Sequence, residues 1–192
     1  MSETLKIGLI VSSTRQGRFA DKVLAWFEPI AAAQPGWEIE VLDLREAALP
    51  FFDEPVPPAA KPVTAPAAQA WGEKLEAMDG FIVLTAEYNH SITAVLKNAF
   101  DYAFEGWKRK PIGTVGYGGV GAARAVEHLR MIAINFGMVP VAGGVNIGGG
   151  DFGALMGGKS FADLGPHLEK SAEGLIADID WWARAIKAAK AA

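Results

Sequence analysis

Five short apolar runs, each followed by residues at helical spacing, constrain this chain more than any other feature. The runs are "LKIGLIV" (5–11), "WEIEVLDL" (37–44), "GFIVLTA" (80–86), "PIGTVGY" (111–117) and "MVPVAGGV" (138–145). The first and third are nearly continuous in apolar character, as in parallel strands covered on both faces. The second alternates more and belongs nearer an edge. Amphipathic segments fill the gaps. Ala20, Val23, Leu24, Phe27 and Ile30 share one face, and Ala122, Val126, Leu129, Ile132 and Phe136 share another, with Gly137 as its C-terminal stop. A last helix carries Leu168, Leu175, Ile179, Trp182 and Ile186 and ends in an alanine-rich tail.

Five strands alternating with five helices predict one α/β domain over residues 1–192, with an open parallel sheet between two helical layers. Right-handed crossovers leave few topologies, and five strands fit the flavodoxin-like order 2-1-3-4-5. In such a sheet ligands bind beyond the carboxyl ends of the strands, which selects the loops at 12–18, 86–92 and 117–121. The proline-rich stretch 49–66 is expected to be extended and irregular. The glycine-rich stretch 143–158 is expected to be mobile.

Several function classes fall away on composition. With 18 Lys and Arg against 22 Asp and Glu, the net charge is −4. That lacks the basic footprint of a nucleic-acid binder. No run approaches the length of a membrane span, and the N-terminal residues do not resemble a signal peptide, so a cytoplasmic protein is expected. The chain has no cysteine, which removes thiolate, disulfide and iron–sulfur chemistry. His90, His128 and His167 form no zinc-ligand pattern, and no metal site is expected. Redox chemistry would need an organic cofactor.

The three loops hold the chemistry-bearing residues. In "SSTRQGR" (12–18), hydroxyls and two arginines precede a helix expected to open near Gly17 or Arg18. This is either a Ser/Thr cap with solvated arginines or a cradle for a phosphate monoester. The glycine fingerprint of dinucleotide sites is missing. In "AEYNHS" (86–91), polar residues follow the third strand at once. They read either as a capped turn, with Asn89 in the turn and Ser91 or Thr93 as N-cap, or as a support for a planar ring. Glycines at 116, 118, 119 and 121 would let main chain approach a flat ligand, although a tight turn would need some of them anyway.

Taken together, "SSTRQGR", "AEYNHSITAVLKNAFD" and "YGGVGAARAVEHLR" resemble the motifs of the NADPH-dependent FMN reductase family, which includes small quinone, azo-dye and chromate reductases. "LPFFDEP" and "WKRKPIG" add weaker likeness, and the match runs in order from about residue 5 to 142. The resemblance implies that Ser13, Arg15, Arg18 and the amides near Phe19 hold the FMN phosphate. It implies that Ala86, Glu87, Tyr88, Asn89 and His90, with Gly118 and Gly119, line the isoalloxazine. Two positions depart from the family pattern: Ala86 replaces a proline, and Thr93–Ala94 replaces a Pro-Gly pair.

The implied activity is hydride transfer from NADPH or NADH to FMN, then electron transfer to a flavin, quinone, azo compound or metal oxyanion. No catalytic side chain is assigned, His90 included. A homodimer or homotetramer is implied; Val95, Leu96, Phe100, Tyr102 and Phe104 form one face available to it, although core packing alone would explain most of that face. The alternative is a flavodoxin-like FMN-binding electron carrier, or a regulatory protein, without substantial turnover. Loop 12–18 is basic, unlike that of the carriers, and NAD(P)H oxidation by the purified protein would separate the two.

Overall fold

In a computed structural model, residues 3–191 are described. They form five strands, β1 (Leu5–Val11), β2 (Trp37–Asp43), β3 (Gly80–Ala86), β4 (Pro111–Tyr117) and β5 (Val139–Ile147), all parallel in the order β2-β1-β3-β4-β5. The flavodoxin-like arrangement is therefore present. β2 takes the edge position its alternation implied. β5 starts one residue later and runs two residues further than the apolar run suggested. A register shift against β4 lets it bulge there, and Gly143 N–H donates to Asp178 Oδ2 at 2.7 Å.

Seven α-helices and one short 3₁₀ turn (Phe161–Asp163) accompany the sheet among the described residues. On one face, α1 (Ala20–Ala32) and α7 (His167–Ala191) bury Val23, Phe27, Leu175 and Ile179 against strand residues that include Ile7, Leu9 and Val115. On the other, α3 (Pro66–Ala77), α4 (Ala94–Asp101) and α5 (Ala123–Asn135) cover Ile10, Phe81 and Val83. At Gly113 a Cβ would lie 2.3 Å from Leu175 Cδ1, so β4 needs a glycine where α7 crosses it. The first helix opens at Ala20, later than Gly17 or Arg18, which leaves a longer loop after β1.

The irregular stretch 49–66 is extended, as its prolines require, but it is firmly tied. Asn98 on α4 donates to Pro50 O (2.7 Å) and accepts from Phe52 N–H (2.9 Å), while the Tyr102 hydroxyl donates to Phe51 O (3.0 Å). Glu54 accepts from the N–H groups of Thr64 (2.6 Å) and Ala65 (3.2 Å) just ahead of α3. Two stretches that carry the family likeness, "LPFFDEP" and "LKNAFD", thus hold each other. A four-residue helix α2 (Leu44–Ala47) lies before this loop.

The glycine-rich stretch is regular structure and not an irregular loop. Its first part extends β5, and its second is a helix, α6 (Gly149–Met156). A buried ion lies elsewhere in the fold. The Lys110 ammonium donates to Leu75 O (2.6 Å) and Glu76 O (3.1 Å) at the end of α3, and burial lowers its pKa to about 8.

Candidate flavin site

The three selected loops converge beyond the carboxyl end of the sheet, because β1, β3 and β4 are consecutive neighbours there. They enclose a cleft of about 490 Å³. Ser13, Arg15, Arg18 and Phe19 line it from the first loop, Ala86, Glu87 and Tyr88 from the second, and Tyr117, Gly118 and Gly119 from the third. Of the residues assigned to FMN in the sequence, Asn89 and His90 lie outside this lining, as do the further glycines Gly116 and Gly121.

The first loop is rich in unsatisfied donors. From Ser13 through Asp21, no main-chain N–H makes a well-formed hydrogen bond to another main-chain group among the described residues, although turns form at 16–17 and 19. Ser12 N–H before them and Lys22 N–H after them do make one. A run of free amides ending on a helix start concentrates positive potential. Arg15 is exposed, with its guanidinium 5.8 Å from the centre of the Tyr88 ring. Its carbonyl accepts from Arg45 Nη2 at 2.7 Å, which fixes the loop's outer edge.

Arg18 behaves differently. It is buried, and its guanidinium donates to Asp43 through both Nη atoms, to Asp21 Oδ1 (2.7 Å) and to Ser13 O (2.6 Å). The carboxylates, Asp43 first, raise its pKa still further, so it stays charged. Burial pushes the Asp43 carboxyl up, but Arg18 and the Arg45 N–H outweigh it and hold it below the ordinary value. The pairing follows from register: Val11 sits opposite Asp43, so the end of β2 meets the loop leaving β1.

The second loop is a tight turn. Tyr88 N–H donates to Ser91 O (2.9 Å) and Ser91 N–H to Tyr88 O (3.0 Å), with Asn89 at φ +50° and His90 at φ +72° between them. Two successive left-handed residues make this a type I′ turn, a strained choice for a histidine. Thr93, and not Ser91, caps α4: its hydroxyl accepts from Leu96 N–H (3.2 Å) and donates to Ser12 O (2.6 Å), joining the second loop to the first. Ser13 Oγ and the Tyr88 hydroxyl, 3.0 Å apart, make a second link.

Glu87 is the charged member of this turn. Burial pushes its carboxyl up, yet Arg124 holds it below the ordinary value. The Arg124 guanidinium contacts Glu87 through Nε (2.5 Å) and Nη2, and the Arg124 N–H donates as well (3.1 Å). Arg124 Nη1 also lies 3.0 Å from His90 Nε2, which makes that ring nitrogen an acceptor. His90 thus faces Arg124 and not the cleft's lining.

The third loop leaves β4 through Gly118, at φ +140°, and a Cβ at Gly118 or Gly119 would meet nothing within 4 Å. The main chain there is open to a flat ligand. Beside it, Tyr117, Phe19 and Phe152 form an aromatic cluster, with successive centroids 5.4 Å and 5.0 Å apart. Phe152 and Met156 come from α6 and line the cleft. Sequence reasoning missed them; the lone aromatic in a run of glycines was the available signal. Of the apolar face on and after α4, Leu96, Phe100 and Tyr102 are buried, so core packing accounts for most of it.

Donors at one end and open main chain with aromatic rings at the other suit a ligand that is a phosphate at one end and a planar ring at the other. Comparison with known proteins points the same way. The chain is 33% identical over 132 residues to an NAD(P)H-dependent FMN reductase of Schizosaccharomyces pombe, an alignment covering 68% of this chain and 66% of that one. It is 33% identical over 142 residues to a quinone reductase of Escherichia coli K12, covering 70% and 72%. The chain thus spans about two thirds of the length of such relatives. In fold it is similar to a flavoenzyme NAD(P)H:(acceptor) oxidoreductase from Paracoccus denitrificans, with TM-score 0.65, 20% identity, and 96% and 98% of the two chains covered. The family model for NADPH-dependent FMN reductase matches residues 5–151, the span that contains all three loops, and to that family this chain belongs.

Proposed function

We propose that the chain holds FMN in this cleft, accepts hydride from NADPH or NADH, and passes electrons to a small acceptor, a quinone first among them. The observation that carries the reading is the run of free main-chain N–H groups from Ser13 to Asp21, beside the exposed Arg15, in a member of this family. Such a run suits a phosphate dianion, whose oxygens each accept several hydrogen bonds. Bound FMN supplies the two-electron chemistry that a chain without cysteine lacks.

The protein's residues bind and orient. Ser13, Arg15 and the amides near Phe19 grip the phosphate. Arg18 positions that grip, since its donors are committed to Asp43, Asp21 and the Ser13 carbonyl. The main chain of 86–89 and of Gly118–Gly119 lies along the ring, and the Glu87–Arg124 pair and His90 lock the turn that presents it. The reading includes a homo-oligomer in the cytoplasm, with a second copy seated on α5. There Met131 is 71% exposed and Ile134 64%, and Met131 borders a groove with Asn89, Ile92 and His128.

Arg15→Ala tests the carrying observation. Loss of one charge-assisted contact is expected to weaken FMN by about 1.5–3 kcal/mol while sparing riboflavin, which has no phosphate. Equal losses for both would assign Arg15 to folding. A colourless wild-type protein that takes up no added FMN would overturn the proposal.

A further inference from the structure

The Tyr117 hydroxyl has neither a hydrogen-bond partner nor access to solvent, although the residue lines the cleft and is 4% exposed. Burial pushes its pKa up, so it stays a protonated donor. A buried donor with nothing to bond is unfavourable and rare in native proteins. Tyr88 comes first among its titratable neighbours, ahead of Arg18 and Asp21, and Phe19 packs on its ring. The Tyr88 hydroxyl itself lies 3.0 Å from Ser13 Oγ, so this cluster stands against the first loop. Phe19 in turn packs edge-on against Phe152 of α6, so the ring cluster links Tyr117 to that helix.

α6 is built to move. Gly149 at φ +47° opens it, Gly158 at φ +101° follows it, and Gly150 and Gly153 lie within it. Glycine inside a helix weakens it, and glycine at both ends supplies hinges. Leu155 is its only buried side chain, and Asp151 to His167 (2.8 Å) is its one side-chain polar tie to α7 among the described residues.

Building on the FMN reading, we propose that α6 is a flap over the first loop, and that its opening uncovers the Tyr117 hydroxyl to donate to the phosphate end of the incoming flavin. The flap then recloses, with Phe152 and Met156 shielding the phosphate from water. The apo form would thus hold Tyr117 unsatisfied until ligand arrives.

Tyr117→Phe keeps the aromatic cluster and removes only the donor. It is expected to bind FMN about tenfold or more weakly, to bind riboflavin within about twofold of wild type, and to melt no lower in the apo form. Phe152→Ala is expected to speed FMN association at least about fivefold, since closure limits entry. In wild type, amide exchange over 149–158 is expected to slow when FMN binds. Wild-type FMN affinity in Tyr117→Phe, equal loss of both flavins, a lower apo melting temperature, or exchange unaffected by FMN would each overturn the proposal. Wild-type protein that binds neither flavin would instead bring down the cofactor reading itself, and that arm reports separately.

Discussion

His90 is the residue most easily mistaken for a catalyst, since it stands in the turn beside the cleft and histidine titrates near neutrality in free form. Its surroundings assign it other work. The Nε2 atom faces a guanidinium that is itself committed to Glu87, and the ring is exposed. Hydride transfer to a flavin requires no side-chain proton at the donor carbon. His90→Ala is therefore expected to keep its FMN and to lose less than about tenfold in flavin reduction by NADPH, below the usual size of a general acid–base effect. Stopped-flow measurement of that half-reaction decides it; a hundredfold loss with FMN fully bound would make His90 catalytic. The residue scale also shows where sequence reading stops. That Asn89 occupies a turn was legible from its side chain. That Arg18 serves Asp43 was not, because the pair is 25 residues apart and meets only through the β1–β2 register.

Among the elements, those that declare themselves in sequence are those whose apolar residues keep a period. β1 and β3 are covered on both faces, so their runs are unbroken, and α5 carries its stripe at regular spacing. α6 has only a one-turn stripe, Phe152, Leu155 and Met156, set among glycines, too short to declare a helix that depends on tertiary context. The end of α3 carries a further consequence. Lys110 binds its proton less tightly when folded, at about 8 against 10.5 for the free side chain. Between those values the unfolded chain holds more protons, so stability rises with pH across that window. At one pKa unit per about 1.4 kcal/mol, the gain across the fall from 10.5 to about 8 is at most about 3.5 kcal/mol. Urea titrations at intervals across that window should show the rise in wild type and lose it in Lys110→Met. Parallel curves would mean that Lys110 stays charged throughout.

At the scale of the whole molecule, order and topology were legible in the sequence, and assembly was not. The apolar residues of α4 go mostly to the core, and exposed large apolar side chains are spread over several elements, Met131 and Ile134 on α5 among them, with Phe51 and Trp181 elsewhere. On the proposed assembly through α5, wild type is expected to run as an oligomer and Met131→Glu with Ile134→Glu as a monomer, with the far-ultraviolet spectrum unchanged. Light scattering after gel filtration measures this, and an unaltered mass would place the interface elsewhere. The free amides of the first loop reach further than the site they form. Whatever anion occupies them adds to the native state by mass action, about 2.7 kcal/mol at a hundredfold excess over its dissociation constant. Degradation in the cell draws on the unfolded fraction. The standing amount of this protein thereby becomes a function of the supply of its ligand: chains made when flavin is scarce are the first to be cleared, and abundance tracks the vitamin without any dedicated regulator.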